Sequence, residues 1–413
     1  MDQQIHDLIN KEKERQLKTI DLIASENITS QDVRDAVGSV LSHKYAEGYP
    51  GKRYYGGNQI IDQVEQLAID RVTKLFGTKF ANVQPHAGSQ ANMAVYFALL
   101  DYKDTIMGLN LSHGGHLTHG SPVNFSGKLY KPIHYNVNRE GWLDYDEIEK
   151  LAKQEKPKLI QMGYTAYPRT IDYKRFREIA DDTEAYLMAD IAHTAGLIAG
   201  KAFPSPIGMA DVITFTTHKT LRGPRGAVIL WDNEEMEKKI RMAVFPGLQG
   251  GPHENMIAGK AVAFKEAMEP EFEDYAKQVV KNAQALAQGL MDNDFKLVTD
   301  GTDSHLLMVD LRPFGDVTGK DAQEWLENAG IVCNKNTVPY DERSPFVTSG
   351  IRFGTPVLTT RGMQEEQMKQ IADWVKEIIK SKGQKSKDVK MEVEQMTNKF
   401  PLFQNEGKVE KSD

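Results

Sequence analysis

Short apolar runs rich in β-branched residues alternate with longer segments of helical periodicity through most of the chain. That alternation restricts the fold to the α/β class with a largely parallel sheet, because parallel strands need helical crossovers. FANVQP, KLIQMG, AYLMADIA, DVITFTT and GAVILW read as strands, with HAGSQ as a turn and ANMAVYFALL and YKRFREIADDT as helices. Ahead of them Leu67, Val72, Leu75 and Phe76 mark the inner face of a helix that stops at Gly77.

From Ala258 the pattern changes to long charged helices, GKAVAFKEAM and YAKQVVKNAQALAQGLM, which read as a connection between domains. HLLMVDL, GIVCNKN and GIRFGT then read as short strands packed with the helix GKDAQEWLENA, forming a smaller α/β domain. A chain of 413 residues exceeds what one core usually supports, so two domains are expected. Residues 1–274 would hold an N-terminal arm and the large domain, and 275–413 the small one. The tract from Lys380 to Lys390 reads as a solvated linker before a last helix, and NEGKVEKSD as a frayed end.

The formal net charge of −7 argues against a general nucleic-acid binder and leaves small-molecule chemistry as the expectation. The segment MDQQIHDLINKEKERQ has no continuous apolar stretch of a secretory signal, and no run reaches bilayer length. A cytoplasmic protein without membrane partners is expected. The single cysteine, Cys333, lies between apolar neighbours and reads as a buried structural thiol.

The segment ITFTTHKTLRGPRG ends an apolar strand in a polar turn that presents Lys219. If Lys219 forms a Schiff base, an aldehyde cofactor is required, and pyridoxal phosphate supplies one. Such a site also needs an anion cradle, a carboxylate for the pyridinium nitrogen and a flat group over the ring. Gly88 and Ser89 could open a helix whose amides face an anion, although Gly-Ser is also an ordinary cap. Asp190 ends the run AYLMAD, where a strand directs side chains toward the crevice, with His193 close behind it. HGGHLTHG carries His113, His116 and His119. A metal site is the rival reading there, but glycines break the ligand spacing, so one imidazole stacking on a ring is favoured. KYAEGYPGKRYYGG offers Tyr45, Glu47, Tyr54 and Tyr55 for hydrogen bonding, stacking and proton transfer. Arg352 in GIRFGT would be costly unpaired, so it grips either a substrate carboxylate or an internal acid.

These stretches, with LIASEN, VEQLAIDR, VFPGLQGGP and SPFVTSGIRFGTP, resemble the serine hydroxymethyltransferase family, bacterial type, in the same order over nearly the whole chain. The resemblance implies an aspartate-aminotransferase-like fold, fold type I of the pyridoxal phosphate enzymes. It has a large, mostly parallel seven-stranded domain and a small C-terminal domain, and forms a homodimer with shared active sites. The implied reaction is the reversible transfer of the serine hydroxymethyl group to tetrahydrofolate, giving glycine and 5,10-methylenetetrahydrofolate.

Residue by residue, the resemblance implies that Lys219 holds the cofactor, Asp190 pairs with its ring nitrogen, and His116 stacks on the ring. Gly88, Ser89, Thr216, and Gly250 and Gly251 from the partner subunit, would complete the cofactor site, with His193 near the phenolic oxygen. Ser25, His218 and Arg352 would receive the amino acid. Tyr45, Glu47, Tyr54 and Tyr55 would form the remaining substrate site, with Tyr45, Glu47 and Tyr55 reaching in from the neighbouring subunit and Glu47 carrying a proton. Leu111, Gly115, His116, Leu117, Ser344, Pro345 and Phe346 would face the folate. No metal is implied. Ala87, Thr194 and Ala227 depart from the family's common pattern, and Ala87 removes one hydroxyl from the phosphate cradle. Two other readings stay open: an aldolase acting on β-hydroxy amino acids without folate, and a non-catalytic protein that keeps the fold.

Overall fold

The computed structural model describes residues 2–403. Its central sheet has seven strands, in the order Phe80–Asn82, Ala227–Trp231, Val212–Thr216, Tyr186–Asp190, Leu159–Met162, Thr105–Leu109 and Lys131–Tyr135. The strand Ala227–Trp231 runs antiparallel to both neighbours; the remaining pairs are parallel. Strands buried along their whole length, such as Val212–Thr216 and Ala227–Trp231, read as continuous apolar runs because helices cover both faces.

A four-stranded antiparallel sheet, ordered Lys296–Leu297, Leu306–Asp310, Gly350–Gly354 and Asn334–Asn336, forms the second unit. The helix Pro270–Asp292 joins the two. Phe272, Ala276 and Val279 pack into the core of the large sheet, whereas Leu286, Ala287 and Leu290 pack into the core of the small one. The N-terminal segment crosses between units: Ile20 and Leu22 belong to the small core, and Ile20–Asp21 pairs in parallel with Ile331–Val332.

Three local expectations change. GIVCNKN divides at Cys333, with Ile331–Val332 pairing with the arm and Asn334–Asn336 joining the four-stranded sheet. Burial pushes the Cys333 thiol well up, away from nucleophilic chemistry. On the helix Gln59–Phe76 the inner face carries Ile61, Glu65, Ala68, Val72 and Phe76, while Leu67 is exposed. Glu65 takes the inner position because Arg53 and Gln84 satisfy its carboxylate. The tract Lys380 to Lys390 is not a linker: helices Glu365–Lys380 and Ser386–Lys399 flank a tight turn at 381–385. Gly383 (φ +81°) packs on Trp325, where a Cβ would meet the ring at 2.6 Å, and the Ser386 hydroxyl donates to the Trp325 carbonyl. The lysine heads are solvated, but the backbone is pinned. The segment NEGKVEKSD lies outside the described residues.

Candidate active site

A cavity of about 370 Å³ opens at the carboxyl ends of the parallel strands, the usual location of ligands in such sheets. Lys219 stands at its floor on a turn that cannot swing. The Thr217 hydroxyl donates to the Pro224 carbonyl at 2.6 Å, and Gly223 N donates to the Thr217 carbonyl at 2.7 Å. Asn27 donates to the Lys219 carbonyl at 3.0 Å, and the Thr220 hydroxyl to the His193 carbonyl at 2.9 Å. The Lys219 amine itself has no hydrogen-bond or ion-pair partner among the described residues. Burial, against the pull of Asp190, lowers its pKa from 10.5 to about 8.

Asp190 is the counter-charge. Its Oδ2 accepts from Asn92 Nδ2 at 2.9 Å and lies 3.4 Å from His119 Nε2, and its Oδ1 accepts from Ala192 N at 3.1 Å. Because His116 N donates to His119 Nδ1, the His119 proton sits on Nε2, aimed at the carboxylate. Burial pushes Asp190 up, but the hydrogen bonds from His119 and Asn92 overcome it and hold the carboxyl well below the ordinary range. The close approach of the backbone behind this carboxylate needs glycine: a Cβ on Gly163 (φ +110°) would stand 1.8 Å from the Asp190 carbonyl oxygen.

His116 lines the cavity with Nδ1 held by the Thr118 hydroxyl at 2.8 Å; burial and then His119 lower its pKa to about 4, so the ring is neutral. The ligand atoms of His116, His119 and Asp190 lie within 4.8 Å of one another, so folding supplies the acidic neighbour missing from the local sequence. Each already has a hydrogen-bond partner: Thr118 for His116, Asp190 for His119, and Asn92 for Asp190. His113 points elsewhere, packing edge-on to Tyr340.

Arg352 is 6% exposed and forms no ion pair among the described residues. It donates to the Thr165 carbonyl at 2.7 Å and to Asn334 Oδ1 at 3.2 Å, and burial lowers its pKa to about 10. Of the two sequence readings, the internal salt bridge is absent and a guanidinium open to an incoming carboxylate remains. Ser25 reaches the cavity because the arm is tied to the small sheet: Leu22 N donates to the Val332 carbonyl, and Gly354 N to the Leu22 carbonyl. Thr216, His193 and His218 also line it, and burial lowers the His218 pKa to about 3.

The helix Gly88–Leu99 points its N-terminus into the cavity, and Ala87 offers its amides no side-chain cap. Free first-turn amides fit an anion. Gly88 is required there, since a Cβ would meet Thr216 Cγ2 at 2.8 Å. The donor set therefore fits pyridoxal phosphate: an unpartnered buried amine, an ionised carboxylate opposite, a neutral imidazole and an uncapped helix end.

The remaining predicted residues stand outside this cavity. Tyr45 and Tyr55 pack edge-on at 4.9 Å. Glu47 Oε1 lies 2.9 Å from where a Cβ on Gly250 would stand, and the Tyr45 ring 3.4 Å from the same point on Gly251. These five residues form one cluster at the surface. Tyr54 is 75% exposed and packs on Phe245. Leu111 and Leu117 are exposed on short turns flanking the buried Gly115, and Ser344, Pro345 and Phe346 form an exposed loop. The sequence reading missed Asn92, Arg225 and His305, and it named His119 without seeing its contact with Asp190. Asn92 lies one helical turn beyond Gly88 and His119 three residues beyond His116, so helical spacing could have assigned both to the site.

The fold and this donor set define a pyridoxal phosphate-dependent transferase of fold type I. A family model described as Serine hydroxymethyltransferase matches residues 1–375. The chain is 57% identical over 401 residues to the serine hydroxymethyltransferase of Acinetobacter baylyi, covering 96% of each chain. It is 56% identical over 408 residues to that of a Wolbachia from Drosophila simulans, covering 97% of this chain and 96% of the relative. The chain belongs to the serine hydroxymethyltransferase family.

Proposed function

We propose that the Lys219 cavity is where this family member transfers the serine hydroxymethyl group reversibly to tetrahydrofolate, giving glycine and 5,10-methylenetetrahydrofolate. The observation that carries the assignment is the convergence of three charged groups in one cavity: the unpartnered Lys219 amine, ionised Asp190 and an Arg352 without an acid. Bound there, pyridoxal phosphate supplies an aldehyde carbon for amine capture and a protonated ring that accepts the electron pair left at the substrate Cα.

The chain's own groups do the rest. Lys219, lowered to about 8, is neutral often enough near neutral pH to bond a carbonyl carbon. Asp190 keeps a proton on the ring nitrogen by staying ionised. Gly88, Ser89 and Thr216 would hold the phosphate, His116 would cover the ring and His193 would face its phenolic oxygen. Arg352 takes the substrate carboxylate in a bidentate grip, with Ser25 and His218 beside it. In a homodimer, the partner would bring its own Tyr45, Glu47, Tyr55, Gly250 and Gly251, with Glu47 moving a proton at the hydroxymethyl group or the folate; Tyr54 stands next to this cluster. Leu111, Gly115, His116, Leu117 and the loop Ser344, Pro345 and Phe346 would receive the folate. We keep the division 1–274 and 275–413 with its boundary inside the connecting helix. No helix among the described residues is long and apolar enough to cross a membrane, and we propose a cytoplasmic enzyme.

The test is an absorbance spectrum of the cofactor-loaded protein, with glycine and then tetrahydrofolate added. A long-wavelength band that grows strongly only with both supports the joint site. A response to glycine that ignores tetrahydrofolate would instead support an aldolase. Lys219→Ala abolishes turnover, and Glu47→Gln lowers folate-stimulated turnover.

A further inference from the structure

His193 of the cavity pairs with His305, a residue to which the reaction described above gives no role. Nδ1 of His193 lies 3.1 Å from Nε2 of His305, and the rings stack with centroids 5.4 Å apart. Both are buried, at 5% and 0% exposure. They come from different units. His193 follows the strand Tyr186–Asp190 of the large sheet, and His305 immediately precedes Leu306–Asp310 of the small one. Each backbone is pinned: the His193 carbonyl accepts the Thr220 hydroxyl, one residue beyond Lys219, and the His305 carbonyl accepts Thr355 N. The rings therefore have little freedom to rearrange.

An imidazole–imidazole hydrogen bond needs one donor and one acceptor, so it selects a tautomer for each ring. Burial, with the nearby cations Lys219 and Arg352, keeps both rings neutral. Those same cations decide the direction of the bond. A neutral imidazole is most stable with its lone pair turned toward positive charge, and His193 lines the cavity that holds Lys219 and Arg352. Its proton then belongs on Nδ1, directed away from the cavity at His305. His305 accepts on Nε2 and carries its own proton on Nδ1. That atom has no hydrogen-bond partner of good geometry, but the adjacent Ala24 backbone favours a proton on the ring.

We propose that His305 is a positioning residue: by accepting the Nδ1 proton of His193 across the two sheets, it leaves Nε2 of His193 as a bare acceptor in the active cavity. That acceptor suits a hydroxyl donor, either the phenolic group of the cofactor or the hydroxyl of a β-hydroxy amino acid. The inference rests on reading the cavity as the cofactor site. It also makes the setting of His193 depend on the apposition of the two units, since neither sheet alone carries both rings.

The experiment is nitrogen-15 NMR of the full-length protein labelled at histidine, cofactor-loaded and cofactor-free, with the His193 signals assigned by loss in His193→Asn. The wild type is expected to show His193 protonated on Nδ1 and unprotonated on Nε2. His305→Gln places an amide oxygen near the original Nε2 and keeps that tautomer, whereas His305→Leu and the shorter His305→Asn lose it. In step with the spectra, kcat falls by about tenfold in the Leu and Asn variants with little change in the KM for serine, and Gln restores most of it. A His193 proton on Nε2 in the wild type overturns the proposal, as does a Leu variant with unchanged tautomer and kcat. Failure of the cofactor assignment would look different: the wild type would show no cofactor absorbance, whatever its tautomer.

Discussion

Asn92 donates to Asp190 Oδ2 at 2.9 Å while its own Oδ1 accepts the Thr214 hydroxyl at 2.6 Å. One amide thus ties the helix behind the phosphate cradle to two neighbouring strands and to the carboxylate that would face the cofactor. It also donates to Thr118, which holds His116. The uncapped helix end, the His116 imidazole and the Asp190 carboxylate share a single anchor.

Replacing Asn92 by Leu removes a donor from a buried ionised carboxylate, a loss of about 2 kcal/mol. The cofactor, whose ring nitrogen needs that charge, should dissociate roughly 30-fold more readily. Equilibrium dialysis of cofactor against wild type and variant measures this. Equal affinities would show that His119 and Ala192 hold Asp190 without help.

Lys219 gives a pH signature in the cofactor-free protein. Burial holds its amine at about 8 against 10.5 in an unfolded chain. Unfolding therefore takes up a proton between those values, so stability rises with pH across that window. Below pH 8 the amine is protonated in both states, and the folded protein carries the full cost of burying it. Lys219→Met should unfold at higher denaturant at pH 7, by about 2 kcal/mol once the cavity's access to water is allowed for. The advantage should close as pH rises from 8 to 10.5. A variant no more stable than wild type at pH 7 would mean that the amine is solvated.

Gly163 tests how tightly the backbone is built around Asp190. With φ at +110° and a projected Cβ 1.8 Å from the Asp190 carbonyl oxygen, alanine is both strained and obstructed. Gly163→Ala should cost about 3 kcal/mol or more and displace the carboxylate. Thermal unfolding and cofactor binding should fall together; a loss of stability with normal binding would place the displacement elsewhere.

Local chemistry made part of this site readable. Gly223, Pro224 and Gly226 announce a turn directly after an apolar strand, so Lys219 had to be presented at a sheet edge. Asp190 and Arg352 were recognisable as charges inside apolar runs, where burial demands a partner. Groups whose partners are distant in sequence gave no such sign. The role of His119 depends on a carboxylate 71 residues away, and that of His305 on an imidazole 112 residues away in the other unit. Glu65, Glu254 and Lys260 sit in helical patterns where charge normally marks the solvated face, yet all three point inward. The lysine tract misled in the opposite way, because the side chains that colour the sequence are solvated while Gly383 and Ser386 pin its backbone.

Glu254 turns that buried charge into a measurable prediction. While it is ionised no donor bonds either of its carboxyl oxygens, Arg53 Nη1 is 3.7 Å away, and the neighbouring acid Glu65 is close enough to accept its proton when it holds one. Arg53 is already engaged with Glu65 at 2.7 Å and Asp62 at 2.9 Å, so it cannot fully compensate a second buried anion. Burial first, then Glu65, raises Glu254 from 4.5 to about 8. A raised value means that the folded protein holds a proton the unfolded chain releases, so stability is greatest below pH 4.5 for this group and is lost as pH rises through 8. Glu254→Gln keeps the shape and never ionises. It should match wild type near pH 5 and exceed it by roughly 3 kcal/mol near pH 9. Denaturant midpoints at the two pH values decide the matter: parallel profiles would show that Glu254 ionises freely, with Arg53 rather than a proton neutralising it.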